Sequence, residues 1–183
     1  MTGIVQSSYS SALEKVLEHL FVGELLRCLW QQGRRDVEVL RSEVDSSGYD
    51  LVVESNRVIR HIQLKSSHRK AKTAEVKINI GLSQKPSGCV VWMFYNPETL
   101  ELGPLLWFGG KPGQSLPLLG DKIGRHTKGD RTGKKAERPN IRVLAKSKFT
   151  PMKTIGEVAD ALFDANCGCA DFFEEPPPST PCR

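Results

Sequence analysis

The chain has 183 residues, 39% of them apolar and 26% charged, with a formal net charge of +5 at pH 7. That length accommodates one hydrophobic core plus tails, and the composition is that of a soluble globular protein. No apolar run reaches the ~18 residues a membrane helix needs. The start Met1-Thr2-Gly3-Ile4 has neither the basic nor the apolar stretch of a secretory leader, so the cytoplasm is the expected address.

The first element is a helix. Ser11-Ala12-Leu13-Glu14 fits a capping box, and Leu13, Val16, Leu17, Leu20, Phe21, Leu25, Cys28 and Leu29 follow at helical spacing until Gly33. Val37, Val39 and Leu40 suggest a first strand. Leu51-Val52-Val53 and Val58-Ile59, separated by Ser55-Asn56-Arg57, make a hairpin. A two-residue loop at Asn56-Arg57, or a four-residue loop from Ser55 to Val58, sets Ser55 opposite Val58 and Asp50 opposite Gln63. Lys65, two positions on, shares the face of Gln63. A three-residue loop would break that alignment.

Beyond the hairpin the pattern is mixed. Val76, Ile78, Ile80 and Leu82 alternate as in a strand, while a short helix also fits the half before Pro86. Gly88 to Tyr95 is almost wholly apolar, as in a strand buried on both faces. Leu105 to Phe108 is a further strand ended by Gly109-Gly110, and Trp92 and Trp107 are read as core. Residues 111–139 show no periodicity and are expected to be a long basic loop. Ile141 to Leu144 suggests a last strand. Thr154-Ile155-Gly156-Glu157 opens a second helix that runs to about Ala165. Residues 1–166 are therefore expected to form one domain, and 167–183, with Glu174-Glu175-Pro176-Pro177-Pro178, a mobile tail. Of the five cysteines, Cys28 and Cys89 sit in apolar contexts. Cys167, Cys169 and Cys182 have no fourth zinc-ligand partner at the usual spacing and read as ordinary thiols.

Charge is unevenly spread. Between Asp121 and Lys148 stand ten basic residues against three acidic ones. Such a concentration suits a polyanion, whose binding is driven by counterion release; a solvated basic loop would look the same. Lys128, Arg131, Lys134 and Lys135 are the candidate phosphate contacts there. Arg69 and Lys70, directly after the hairpin, are two more.

The chemistry centres on Asp50, Gln63 and Lys65. Phosphodiester hydrolysis needs negative charge neutralised and a water activated; a hard divalent cation on oxygen ligands does both. Asp50 offers a carboxylate, Gln63 an amide oxygen and Lys65 an ammonium for the attacking water. A second carboxylate is sought on the first helix. With Leu13 as origin and about 100° per residue, Leu17 lies near 40°, Leu20 near 340° and Glu24 near 20°. Glu24 thus falls within the apolar stripe, where a charge is costly unless paired or metal-bound, and is the preferred candidate. Glu18, near 140° by the same count, is the alternative.

A helix carrying Glu, then Gly48-Tyr49-Asp50 at one strand and Gln63-Leu64-Lys65 on the next, resembles the core of the PD-(D/E)XK nucleases, over roughly residues 11 to 95. The Gln-x-Lys form is similar to Mrr-type restriction endonucleases. The resemblance implies an α/β, restriction-endonuclease-like core with a mixed central sheet flanked by helices, in the order α-β-β-β-α-β. It also implies a Mg²⁺- or Mn²⁺-dependent DNA endonuclease. Asp50 would be the metal-binding aspartate, Gln63 would replace the second acidic ligand with the Leu64 carbonyl beside it, Lys65 would be the catalytic lysine and Glu24 the helix glutamate. A neutral Gln63 removes one negative charge, so a catalytically inactive nuclease-fold module that binds nucleic acid is the alternative. Cleaving both strands of a duplex takes two active sites, which leaves room for a homodimer.

Overall fold

The computed structural model describes residues 9–42, 47–126 and 132–164. Helix α1 spans Ser10–Gln31. Tyr9 is its N-cap with no side-chain hydrogen bond, and Ser11 already lies within the helix, so the capping box expected at Ser11 is not used. Gly33, at φ 86°, takes the left-handed conformation that ends it. The buried stripe runs Leu17, Phe21, Leu25 and Leu29. Each four-residue step advances about 40°, so the stripe centres near 100° from Leu13. Val16 and Leu20, read from the sequence as core, are exposed instead, as is Trp30.

Strand β1 is Glu38–Arg41, β2 is Leu51–Ser55 and β3 is Val58–His68. The three form an antiparallel meander. Asn56 and Arg57 both have positive φ, 49° and 63°. This is the two-residue turn whose twist suits a hairpin, and it pairs Ser55 with Val58 and Leu51 with Ile62. That is the register expected from the sequence.

Strand β4, Glu75–Asn79, follows, and then a 3-10 turn over Ile80–Gln84. Both sequence patterns in this stretch are realised, one after the other. Val76 and Ile78 alternate with polar residues as a strand requires, and the Asn79 side chain accepts from the Gly81 N–H to start the turn. The chain then enters β5, Gly88–Tyr95, parallel to β3. The crossover between these parallel strands is thus a strand and a short turn, not the second helix that the resemblance implies at this point.

Strands β6 (Leu102–Gly109) and β9 (Thr150–Met152) complete a six-stranded sheet in the order β1-β2-β3-β5-β6-β9. Only β3 and β5 pair in parallel, so the central sheet is mixed. Helix α2, Ile155–Phe163, is capped by Thr154, whose Oγ1 accepts from the Glu157 N–H. It packs with α1 on one face of the sheet, where Leu17, Phe21, Leu25, Ile62, Val91 and Leu162 share a core. The architecture is α/β, with a mixed central sheet flanked by helices.

The other face carries a second sheet. β7 (Ile123–Arg125) and β8 (Glu137–Ala145) join β4 in the order β4-β8-β7. Ile78 and Leu144 pack with Val90, Trp92, Phe94 and Phe108 in a second core. Residues 111–139 are therefore not one long loop: 123–125 and 137–139 are strand. A Cβ on Gly124 would come within 2.6 Å of Ile141 Cγ2, so β7 and β8 approach this closely only because residue 124 is glycine. The expected tail at 167–183 lies outside the described residues. Among those described, no helix is long and apolar enough to cross a membrane.

Candidate functional site

The regular β2–β3 ladder stops at Leu51 and Ile62. Asp50 lies one residue beyond it and grips β3 in two places. Its N–H donates to the Ile62 carbonyl at 2.9 Å, and its carboxylate accepts from the Leu64 N–H at 2.6 Å. Asp50 thus brackets Gln63 across the hairpin, through a bend instead of a regular pair. The loop before it is held from below. A Cβ on Gly48, at φ 77°, would meet Asn79 at 2.7 Å, so Gly48 lets residues 47–49 lie directly on the crossover.

Side-chain direction on β3 follows from register. Ile62 faces the helical core, so the odd positions face the other side of the sheet. In parallel pairing Gln63 stands beside Val90 and Lys65 beside Trp92, both members of the second core. Because β2 has ended, the edge of β3 from Leu64 onward opens into a cleft of about 420 Å³. Asp50, Lys65 and Ser66 line it from the sheet, and Glu14, Lys15 and Glu18 from the first turns of α1.

Gln63 is not among the residues lining the cleft, although Leu64 and Lys65 are. Its side chain is 4% exposed, and its amide oxygen is buried with no hydrogen-bond partner. A bound cation is one partner that would satisfy such an orphaned buried oxygen. Among the described residues no three carboxylate, imidazole or thiol groups come together to hold a metal. The Asp50 carboxylate and the Gln63 amide are both hard oxygen donors, of the kind that Mg²⁺ or Mn²⁺ takes in preference to a softer ion.

Of the two candidate helix carboxylates, Glu18 lines this cleft, with Glu14 beside it, and Glu24 does not. Glu18 is buried; its Oε2 accepts from Lys15 at 2.8 Å and its Oε1 from Arg41 at 2.9 Å. Glu24 is half-buried and lines no part of the cleft. The reason is angular. Around a stripe centred near 100°, Glu18 at about 140° points inward, and Glu24 at about 20° points nearly sideways. Counting the exposed Leu20 as core pulls the apparent stripe toward Glu24.

The expected phosphate contacts divide. Lys134 and Lys135 are exposed on the approach to β8, and Lys70 is exposed just after β3. Lys128 and Arg131 lie outside the described residues. Arg69 is turned aside: it donates to the Gly103 carbonyl at 2.6 Å and pairs with Glu101 at 3.2 Å. That pairing neutralises the charge it would offer a phosphate.

Other polar groups serve the fold. A cleft of about 730 Å³ at the far end of α1 is lined by Arg34, Asp36, Asn56 and Asp164. Its charges are consumed locally: Arg34 pairs with Asp164 at 2.5 Å, and Asp36 accepts from the Asn56 N–H and Ser55 Oγ. The Asn56 N–H, chiefly, holds the Asp36 carboxyl below its usual range. Arg60 is fully buried, donates to the Gly110 carbonyl at 3.0 Å and lies over Trp107. Burial pushes the nearby Cys89 thiol up to about 11 in spite of that guanidinium, so it stays protonated and is no nucleophile at neutral pH.

No protein-family model matches this chain, and no curated protein matches it. Among solved structures it is similar to Hjc, a Holliday junction resolvase from the archaeal hyperthermophile Archaeoglobus fulgidus. The identity is 16% and the TM-score 0.36, over 74% of this chain and 96% of that one. So distant a likeness decides nothing about the cleft, whose chemistry rests on its own residues.

Proposed function

We propose that this chain is a restriction-endonuclease-like nuclease that hydrolyses phosphodiester bonds of DNA with the help of Mg²⁺ or Mn²⁺. The observation that carries the reading is the Asp50 carboxylate, held on the Leu64 N–H between Gln63 and Lys65 and opening into the cleft with Lys65. Asp50 and Gln63 would hold the cation. When bound, it supplies charge neutralisation at the phosphate and a more acidic water.

The rest belongs to the chain. The hydrogen bond from Leu64 fixes the Asp50 carboxylate without help from the substrate, so its orientation is set in advance. Lys65 orients the attacking water and offsets the charge that grows on the phosphate oxygens. Glu18 holds Lys15 in the cleft wall and Arg41 behind it, which fixes the helix side of the cleft. Lys134, Lys135 and Lys70 add exposed positive charge for the DNA backbone.

Purified protein is expected to cut DNA only with added Mg²⁺ or Mn²⁺. Lys65→Ala should lower cleavage by about 100-fold or more while DNA binding survives. Cleavage that needs no metal and persists in Lys65→Ala would overturn the proposal.

One observation favours a second reading, a nuclease-fold module that binds nucleic acid without cutting it. Gln63 is neutral, and among the described residues no cluster of three acidic, histidine or cysteine side chains forms at the site. Salt-sensitive DNA binding with no cleavage at any metal concentration selects that reading. Cleavage that is abolished in Asp50→Ala rejects it.

A further inference from the structure

On the face of β3 turned away from α1, His61, Gln63 and Lys65 stand in a row, successive members about 7 Å apart. Gln63 and Lys65 belong to the proposed cleavage site; His61 does not. Its imidazole meets the ring of Tyr49, the residue before Asp50, edge-on at 5.0 Å and 75°. The Lys85 ammonium lies 5.4 Å from the centre of that same Tyr49 ring. His61 Nδ1 is 2.9 Å from the Pro86 carbonyl oxygen. A carbonyl only accepts, so Nδ1 carries the proton and donates it, tying β3 to the segment that presents Lys85.

Lys85 is half-exposed, and no carboxylate among the described residues pairs with it. Its charge is held by an aromatic face, which leaves the ammonium's donors for an incoming anion. Tyr49 directly precedes Asp50, so the Lys85–Tyr49 pair stands one residue from the carboxylate of the proposed cleavage site.

We propose that Lys85 and Tyr49 form a second phosphate subsite, positioned by His61, that holds the nucleotide next to the one being cut. The ammonium and the phenol hydroxyl donate to the non-bridging phosphate oxygens, and His61 keeps ring and lysine in place. This subsite rests on the nucleic-acid reading above and specifies one point at which the strand is held.

The test uses the full chain carrying Lys65→Ala, with no metal added, and a labelled DNA duplex titrated between 50 and 200 mM salt. Adding Lys85→Gln should weaken binding several-fold and lower the slope of log K against log salt by about 1. Lys85→Arg should restore the slope. Tyr49→Phe should weaken binding with the slope unchanged, because it removes a donor and no charge. In the cleaving protein, Lys85→Gln should raise KM and leave kcat within about twofold. An unchanged slope and affinity in Lys85→Gln, with the parent still binding DNA in a salt-sensitive way, overturns the subsite alone. A parent that does not bind DNA at low salt overturns the nucleic-acid reading and the subsite with it.

Discussion

Glu18 and Glu24 lie on the same helix, yet their surroundings set them different tasks. Glu18 is buried at the cleft and holds two cations, each through a carboxylate oxygen. Removing its charge leaves Arg41 and Lys15 without their anchor and alters the field around Asp50 and Lys65. Glu18→Gln is expected to slow DNA cleavage about tenfold, equivalent to about 1.4 kcal/mol of transition-state stabilisation. Glu24→Gln should stay within about twofold, because that side chain faces sideways off α1. Steady-state rates at saturating metal check both, and a larger effect at Glu24 would move the helix carboxylate back to the sequence-based choice. Asp50 and Lys65 are legible from the sequence because their positions depend on a single hairpin register. The choice between the two glutamates is not, because it turns on which leucines the rest of the fold covers.

The hairpin is the element on which the site depends. A one-residue slip would move Gln63 and Lys65 to the helical side of the sheet and uncouple them from Asp50. The register is held by the Asn56-Arg57 turn and reinforced by Asp36, which accepts from Ser55 and Asn56 at the hairpin tip. Arg57 takes a left-handed conformation that costs a residue with a side chain roughly 1 kcal/mol. Arg57→Gly relieves that strain, and the greater freedom of glycine in the unfolded chain cancels part of the gain. A net stabilisation of about 0.5 kcal/mol is expected, read as a higher midpoint in urea with an unchanged denaturant dependence. A lower midpoint would mean that the arginine side chain stabilises the turn by more than the strain costs. The β4 segment is only partly legible: its alternation shows in the sequence, but its switch to a 3-10 turn depends on Asn79 capping Gly81.

At the scale of the whole molecule, the helices and the small sheet cover opposite faces of the central sheet. Two parts of the basic stretch that reads as a loop in the sequence, β7 and β8, belong to the second layer. Its exposed lysines therefore stand on a structured support, and part of the ordering cost of binding a polyanion is already met by folding. Replacing Lys134 and Lys135 together with glutamine should lower the salt dependence of DNA binding by about 2 in slope, at about 0.9 for each phosphate no longer neutralised. A slope equal to the parent's would place the phosphate-binding lysines elsewhere on the surface.

What the sequence determined by itself is local. The two-residue turn, the alternation along β2 and β3 and the apolar run of β5 each follow from residues close together in the chain. From them come the pairing of the hairpin and the meeting of Asp50 with the Gln63–Lys65 segment. What only the tertiary structure decided is which face each element buries. An apolar residue on α1 is core or surface according to what packs against it, so Leu20 is exposed and Glu18 enters the cleft. Likewise β4, distant in the chain from β7 and β8, joins them in one sheet because the second face of the central sheet has to be covered. Burial is a property of neighbours, and neighbours far apart in sequence leave no periodic mark on it.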